Sequence, residues 1–137
     1  MRPKKRILLA GNYEFRLGVL SYLLRTYGYA VTTADTADEA EQLMLQTPVW
    51  FDLLLITWPL KGAEALLKRA KVISPGTGTL AVAQDDDLAP LRSTADATIS
   101  SSQYSSDAIL ERVGLLTARR RGPRPQPKLA PEMKESA

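Results

Sequence analysis

The chain has 137 residues, 45% of them hydrophobic, and a formal net charge of +3, which is enough for one domain with an apolar core. Cysteine and histidine are both absent, which excludes disulfides, thiolate or imidazole metal sites, and catalysis by a cysteine nucleophile or a histidine base. No apolar run approaches the roughly 18 residues of a membrane-spanning helix, and the run ILLA is too short for a signal peptide, so we expect a cytoplasmic protein with no membrane partner.

The first half of the chain alternates short apolar runs with amphipathic segments. KKRILLAGN predicts a buried parallel strand, and YEFRLGVLSYLLRTYG predicts a helix that stops at Gly28. YAVTTA predicts a second strand, and DTADEAEQLMLQT a second helix with Asp35 or Thr36 as its N-cap. FDLLLIT has no polar alternation and predicts a central strand buried on both faces. Four tyrosines are expected to pack around the first helix: Tyr13, Tyr22, Tyr27 and Tyr29.

The second half continues the same alternation. GAEALLKRAKVI predicts a third helix and TLAVA a fourth strand, whereas DDDLAPLRST predicts only a weak helix because Pro90 interrupts it. ADATIS predicts a fifth strand, and SSDAILERVGLLTARR a last helix with Ser105 or Ser106 as N-cap. This alternation predicts a flavodoxin-like (βα)5 fold of class α/β: a doubly wound parallel sheet of strand order 2-1-3-4-5 in three α/β/α layers.

The character of the sequence changes near residue 117. We predict a folded domain over residues 1–117 and a basic, proline-rich, disordered tail over 118–137. The basic residues of this tail are Arg119, Arg120, Arg121, Arg124 and Lys128. They are interpreted either as a solubilising tail or as an electrostatic contact with nucleic acid or an acidic partner. The tail has no aromatic residue on which bases could stack, so sequence-specific recognition is not indicated.

One stretch has a distinctive order of features: GYAVTTADTADEAEQL, residues 28–43. Together with KKRILLAGN before it and FDLLLIT and ADATIS after it, this stretch resembles the receiver domain of two-component response regulators over roughly residues 4–117. The resemblance implies a site at the carboxyl ends of the strands. In that family an acidic pair after strand 1 and an aspartate ending strand 3 bind Mg²⁺, and the aspartate accepts a phosphoryl group. A Ser or Thr ending strand 4 and a Lys ending strand 5 then contact the phosphoryl oxygens.

This sequence departs from the family at every one of those positions. The acidic pair falls on Gly11 and Asn12, the acceptor on Thr57, the hydroxyl on Ala83 (or Gln84 if the register slips by one), and the lysine on about Ser101. Mg²⁺ is usually held by one or two carboxylates, and an acyl phosphate requires a carboxylate nucleophile. The resemblance therefore implies a pseudo-receiver that keeps the fold, has lost phosphotransfer and needs no metal or cofactor.

The expected function is a phosphorylation-independent signalling module, not an enzyme, that acts through contact with a protein partner or a second copy of itself. The resemblance implies the face of helix 4, strand 5 and helix 5 as the contact surface. Trp58 and Thr98, the latter near the family's aromatic switch, are candidate partner or pocket contacts. Two alternatives stay open. One is a phosphorelay response regulator with an unusual site, such as Asp52 or the run 85–87, and the other is a nucleic-acid accessory protein acting through the tail. The acidic run 85–87 is otherwise interpreted as a solvated start of the fourth helix.

Overall fold

The computed structural model describes residues 4–46, 51–58 and 60–119 and confirms the predicted fold class. Its strands are β1 (Arg6–Ala10), β2 (Ala30–Ala34), β3 (Leu53–Thr57), β4 (Gly78–Ala83) and β5 (Ala97–Ser100). Its helices are α1 (Glu14–Thr26), α2 (Ala37–Gln46), α3 (Ala63–Ile73), α4 (Asp85–Leu88) and α5 (Ser106–Arg119), with a 3-10 turn at Ser101–Gln103. The strands form one parallel sheet in the order β2-β1-β3-β4-β5.

Two apolar cores lie on opposite faces of this sheet, because successive side chains of a strand point to opposite sides. Leu54 and Ile56 face a core shared with α2, α3 and α4, which we call the α2–α4 core. Leu53 and Leu55 face a core shared with α1 and α5, which we call the α1/α5 core. Every residue of β3 and β4 is buried, as the absence of polar alternation in FDLLLIT predicts for the central strand.

The ends of three helices have the local chemistry that the sequence indicates. Gly28, after α1, has a φ of 95°, a left-handed conformation that glycine adopts without steric cost. Thr36 caps α2, since its Oγ1 accepts a hydrogen bond from the Glu39 N–H at 3.0 Å. Ser105 caps α5 by accepting from the Ala108 N–H at 3.1 Å. These contacts decide between the paired N-cap candidates.

The prediction for the tyrosines near α1 is wrong for two of the four. Tyr29 packs against the α1/α5 core and the Tyr13 ring packs against Arg16 of α1, but Tyr22 and Tyr27 are exposed, Tyr22 by 76%. The buried stripe of α1 is formed by leucines spaced three and four residues apart: Leu17, Leu20 and Leu24. Residue 22 lies midway between the last two, on the opposite side of the helix.

The fourth helix and the fifth strand are short, with four residues each, and the sequence predicts a weak fourth helix. The fourth helix is a single turn of four residues, so it contributes little surface beside β5. The last helix runs to Arg119, which the sequence interpretation places in the tail, and residues 120–137 lie outside the described part.

Within the described ranges, no helix is long and apolar enough to cross a membrane.

Candidate functional site at the carboxyl ends of the strands

Gly11 and Thr57 lie side by side where β1 and β3 end. Ala10 is the register partner of Ile56, so the next residue of each strand is also a neighbour. Thr57 is 0% exposed, and its side chain fills the space beside Gly11. A Cβ built on Gly11 would overlap Thr57 Oγ1 and come within 3.3 Å of Leu17 Cδ2. The structure thus brings two of the sequence-predicted positions together, and it leaves no room between them for a side chain on Gly11.

The oxygens at this position are poor ligands for a cation. Thr57 Oγ1 is buried and has no hydrogen-bond partner among the described residues, and Asn12 is exposed. Across residues 4–46, 51–58 and 60–119, no three or more carboxylate, imidazole or thiolate side chains are grouped so that they could hold a metal ion. The arrangement offers neutral oxygens only, one of them closed off from solvent.

The ends of β4 and β5 carry the other two predicted positions. Ala83 is buried and is the register partner of Ser100, while Ser101 begins the 3-10 turn one residue later. The Ser100 hydroxyl donates a hydrogen bond to the Asp85 carboxylate, and it accepts one from the Ser102 N–H at 3.2 Å. The strand-5 residue level with Ala83 is therefore a serine that binds the start of α4, where Asp85 and its two acidic neighbours form the first turn.

Asp52, the alternative acceptor, lies at the opposite edge of the sheet. It precedes β3, whereas Thr57 ends that strand. Its Oδ2 accepts a hydrogen bond from the Arg6 N–H at 2.7 Å. The carboxylate thus fixes the amino ends of β1 and β3, away from the carboxyl edge.

Trp58 contacts the Arg16 guanidinium and the ring of Tyr104. The Arg16 guanidinium lies over the Trp58 ring at 3.6 Å from its centroid and over the Tyr13 ring at 4.7 Å, and Arg16 Nη1 donates to the Trp58 carbonyl oxygen. Tyr104 meets the Trp58 ring edge to face, at 5.4 Å between centroids and 85° between planes. We call Tyr13, Arg16, Trp58 and Tyr104 the aromatic clamp.

The aromatic clamp ties three separate segments together at the carboxyl edge: α1, the segment after β3, and the segment before α5. Trp58 packs against both cores, and a cation over a tryptophan face contributes about 0.5–2 kcal/mol. Burial raises the pKa of the Tyr104 hydroxyl, and the positive charge of Arg16 partly opposes that rise. Arg16 also places a positive charge at this edge of the sheet.

Sequence reasoning did not identify Arg16 or Tyr104 as members of the site. Arg16 and Trp58 are 42 residues apart in the chain, and neither Arg16 nor Tyr104 belongs to a motif. The available signal was weak: each of them follows the end of a predicted strand by a few residues, and so belongs to the carboxyl edge of the sheet.

A cavity of about 420 Å³ opens beside Trp58, on the α2–α4 side of the sheet. It lies between the ends of β3 and β4, the start of α3, and α4 with the residues after it. Its lining includes Ile56, Trp58, Lys61, Ala63, Ala83, Asp87 and Leu91. Thr98, a candidate pocket contact, is not among the residues that line it; it lies in β5 as the register partner of Ala81.

The predicted electrostatic tail falls almost entirely outside the described residues. Arg119 is the last residue of α5. The other four tail residues, Arg120, Arg121, Arg124 and Lys128, lie outside the described part of the chain.

Comparison with solved structures places this fold among receiver domains. A CheY-like response regulator receiver domain protein from Methanospirillum hungatei JF-1 matches with a TM-score of 0.76 and 25% identity, over 87% of this chain and 98% of that chain. A response regulator receiver domain protein from Clostridium thermocellum matches with a TM-score of 0.76 and 17% identity, over 85% and 97%. The response regulator TrrA from Thermotoga maritima, solved in complex with Mg²⁺ and BeF, matches with a TM-score of 0.71 and 20% identity, over 82% and 98%.

No protein-family model matches the sequence, and no curated protein matches it. The similarity is therefore carried by the backbone. The structural neighbours are receiver domains, and identities of 17–25% are compatible with different residues at the carboxyl edge.

Proposed function

We propose that this chain is a receiver-like signalling module that works without phosphorylation, by binding a protein partner, and that it is not an enzyme. The observation that carries the proposal is the packing of Thr57 against Gly11. A phospho-acceptor site requires a solvent-accessible carboxylate and a second carboxylate for Mg²⁺. Here the corresponding strand ends carry a buried threonine and a glycine without room for a side chain.

The aromatic clamp supports the same conclusion from another direction. A receiver site that exchanges phosphoryl groups has to admit a metal ion and a phosphodonor. In this protein the residue after Thr57 is fixed by Arg16 through its carbonyl oxygen and through its ring. The aromatic clamp thus holds the segment after β3, which would have to open to admit them.

The position of exposed apolar side chains bears on the surface used for the partner. Among the described residues, the large exposed apolar side chains lie at residues 13 and 27 beside α1 and on α1, α2, α3 and α5: Tyr13, Val19, Tyr22, Tyr27, Leu45, Val72 and Leu115. Neither α4 nor β5 contributes one. The surface of helix 4, strand 5 and helix 5 that the resemblance implied therefore gains support only from α5. A homodimer is tested separately, by light scattering of the full chain over a concentration series.

Trp58 supplies the experiment for phosphorylation independence. The chain has two tryptophans, so the full chain carrying Trp50→Phe makes Trp58 the single reporter. Adding Mg²⁺ with acetyl phosphate or beryllofluoride is expected to leave the Trp58 emission equal to that in sodium chloride of matched ionic strength. Intact-mass measurement is expected to find no added phosphoryl group. A saturable Mg²⁺-dependent quench, or an added phosphoryl group, would overturn the proposal.

A further inference from the structure

The cavity beside Trp58 has the size and composition of a small-molecule site. Its volume is about 420 Å³, within the range of roughly 300–1,000 Å³ typical of ligand pockets. Its walls are mainly apolar, with Ile56 and Ala83 from the strands and Leu91 from the segment after α4. All three of these side chains are buried.

Small side chains explain why this space is open. Ala83 ends β4 and Ala63 begins α3, and both line the cavity. Thr57 also borders it, but its hydroxyl is directed toward Gly11, away from the cavity. The packing that closes the β1–β3 site thus leaves a neighbouring space over β3 and β4.

Charges of opposite sign stand at the mouth of the cavity. Lys61 lies before α3 and Asp87 lies on α4, and both are exposed lining residues. A third charged residue at the mouth, Glu64, already pairs with Lys68 at 3.4 Å. Within the described ranges, neither the Lys61 ammonium nor the Asp87 carboxylate has an ion-pair or hydrogen-bond partner.

We infer that this cavity binds a small zwitterion with an apolar body, of the class of α-amino acids with a large aliphatic or aromatic side chain. The carboxylate of the ligand pairs with Lys61, its ammonium group pairs with Asp87, and its side chain fills the space over Ile56 and Ala83. A purely apolar ligand would leave both charges unused, and an ion without an apolar body would leave the cavity unfilled. This inference goes beyond the proposed function and does not depend on it.

Trp58 forms part of the wall, so the full chain with Trp50→Phe also reports on this ligand. Leucine and phenylalanine are expected to change the Trp58 emission saturably, whereas glycine, which lacks the apolar body, is not. Phenethylamine and hydrocinnamate each keep one of the two charges of phenylalanine. Because both ion pairs lie at an exposed rim, each analogue is expected to bind about two- to fivefold more weakly than phenylalanine.

Substitutions then locate the site. Lys61→Gln and Asp87→Asn are each expected to weaken phenylalanine binding about two- to fivefold, while Asp86→Asn, a matched change on the same turn, leaves it unchanged. Ala63→Leu is expected to abolish binding by filling the cavity. Should that variant fail to fold, amide shift mapping of the unaltered full chain must place the perturbed signals at Ile56, Ala63 and Leu91.

The inference is overturned if neither leucine nor phenylalanine binds saturably, or if a singly charged analogue binds as tightly as phenylalanine. It is also overturned if Asp86→Asn weakens binding as much as Asp87→Asn, or if folded Ala63→Leu still binds.

Discussion

Replacing Thr57 with valine is expected to stabilise the fold, although it alters a fully buried position at the end of the central strand. The two side chains have nearly the same shape, so the change exchanges a hydroxyl for a methyl group. Thr57 Oγ1 is buried without a hydrogen-bond partner in the described part of the chain. Valine removes this unsatisfied group and adds apolar surface in its place.

The size of the effect follows from the burial of the hydroxyl. An unsatisfied buried polar group costs about 1–3 kcal/mol, and a buried methyl group contributes about 0.8 kcal/mol. Part of the gain is lost because the methyl group is wider than the hydroxyl and Gly11 lies close by. The expected net increase in the free energy of unfolding is about 1–2 kcal/mol, and for a domain of this size each kcal/mol raises the Tm by about 3–6 °C.

Thr79 on the neighbouring strand β4 provides the matched control. It is also 0% exposed, but its Oγ1 accepts a hydrogen bond from the Asp96 N–H at 2.8 Å. Thr79→Val is therefore expected to lower the free energy of unfolding by about 1–2 kcal/mol. Urea denaturation followed by circular dichroism measures both variants. The reasoning is refuted if Thr57→Val destabilises the protein as Thr79→Val does.

Three further outcomes are expected at the same edge. Gly11→Ala should lower the free energy of unfolding by about 1–3 kcal/mol, because the added methyl group overlaps Thr57. Urea titrations should show a smaller loss when Gly11→Ala is made in a chain that already carries Thr57→Ala. An equal loss in chains with and without Thr57→Ala would contradict the overlap. Arg16→Met should cost about 0.5–2 kcal/mol and shift the Trp58 emission, and an unchanged spectrum would argue against the stacking. Burial raises the pKa of Tyr104 from 10.0, so above about pH 10 the folded state holds a proton that the unfolded state releases and stability falls as pH rises. Tyr104→Phe should make that fall less steep in urea titrations at alkaline pH, and an identical slope would contradict the assignment.

The fold could be predicted from the sequence because its signals are local. FDLLLIT indicates burial on both faces, and β3 is buried throughout. Thr36 and Ser105 precede their helices at the spacing that a cap requires, and both accept the expected N–H. Each of these signals lies within a few residues of the structure that it predicts.

The content of the site could not be predicted in the same way, because its contacts join distant segments. Sequence reasoning placed Gly11 and Thr57 at adjacent strand ends, but it could not show that the threonine side chain fills the space beside the glycine. The aromatic clamp joins Arg16 to Trp58 across 42 residues, and Tyr104 comes from a third segment. The packing prediction for the exposed tyrosines was wrong for a related reason. Tyrosine suits either face of an amphipathic helix, and only the packing of the helix shows which face each tyrosine lies on.

The overlap at Gly11 also fixes an order in which substitutions can accumulate at this edge during evolution. While residue 57 is a threonine, any side chain at position 11 meets its hydroxyl, so a carboxylate acquired there first would destabilise the fold before it could bind a metal. Asn12 is exposed and is free of that constraint. A lineage acquiring an acidic cluster here would have to change residue 57 before residue 11, so the packing of these two small residues makes that cluster difficult to reach by single steps in any other order.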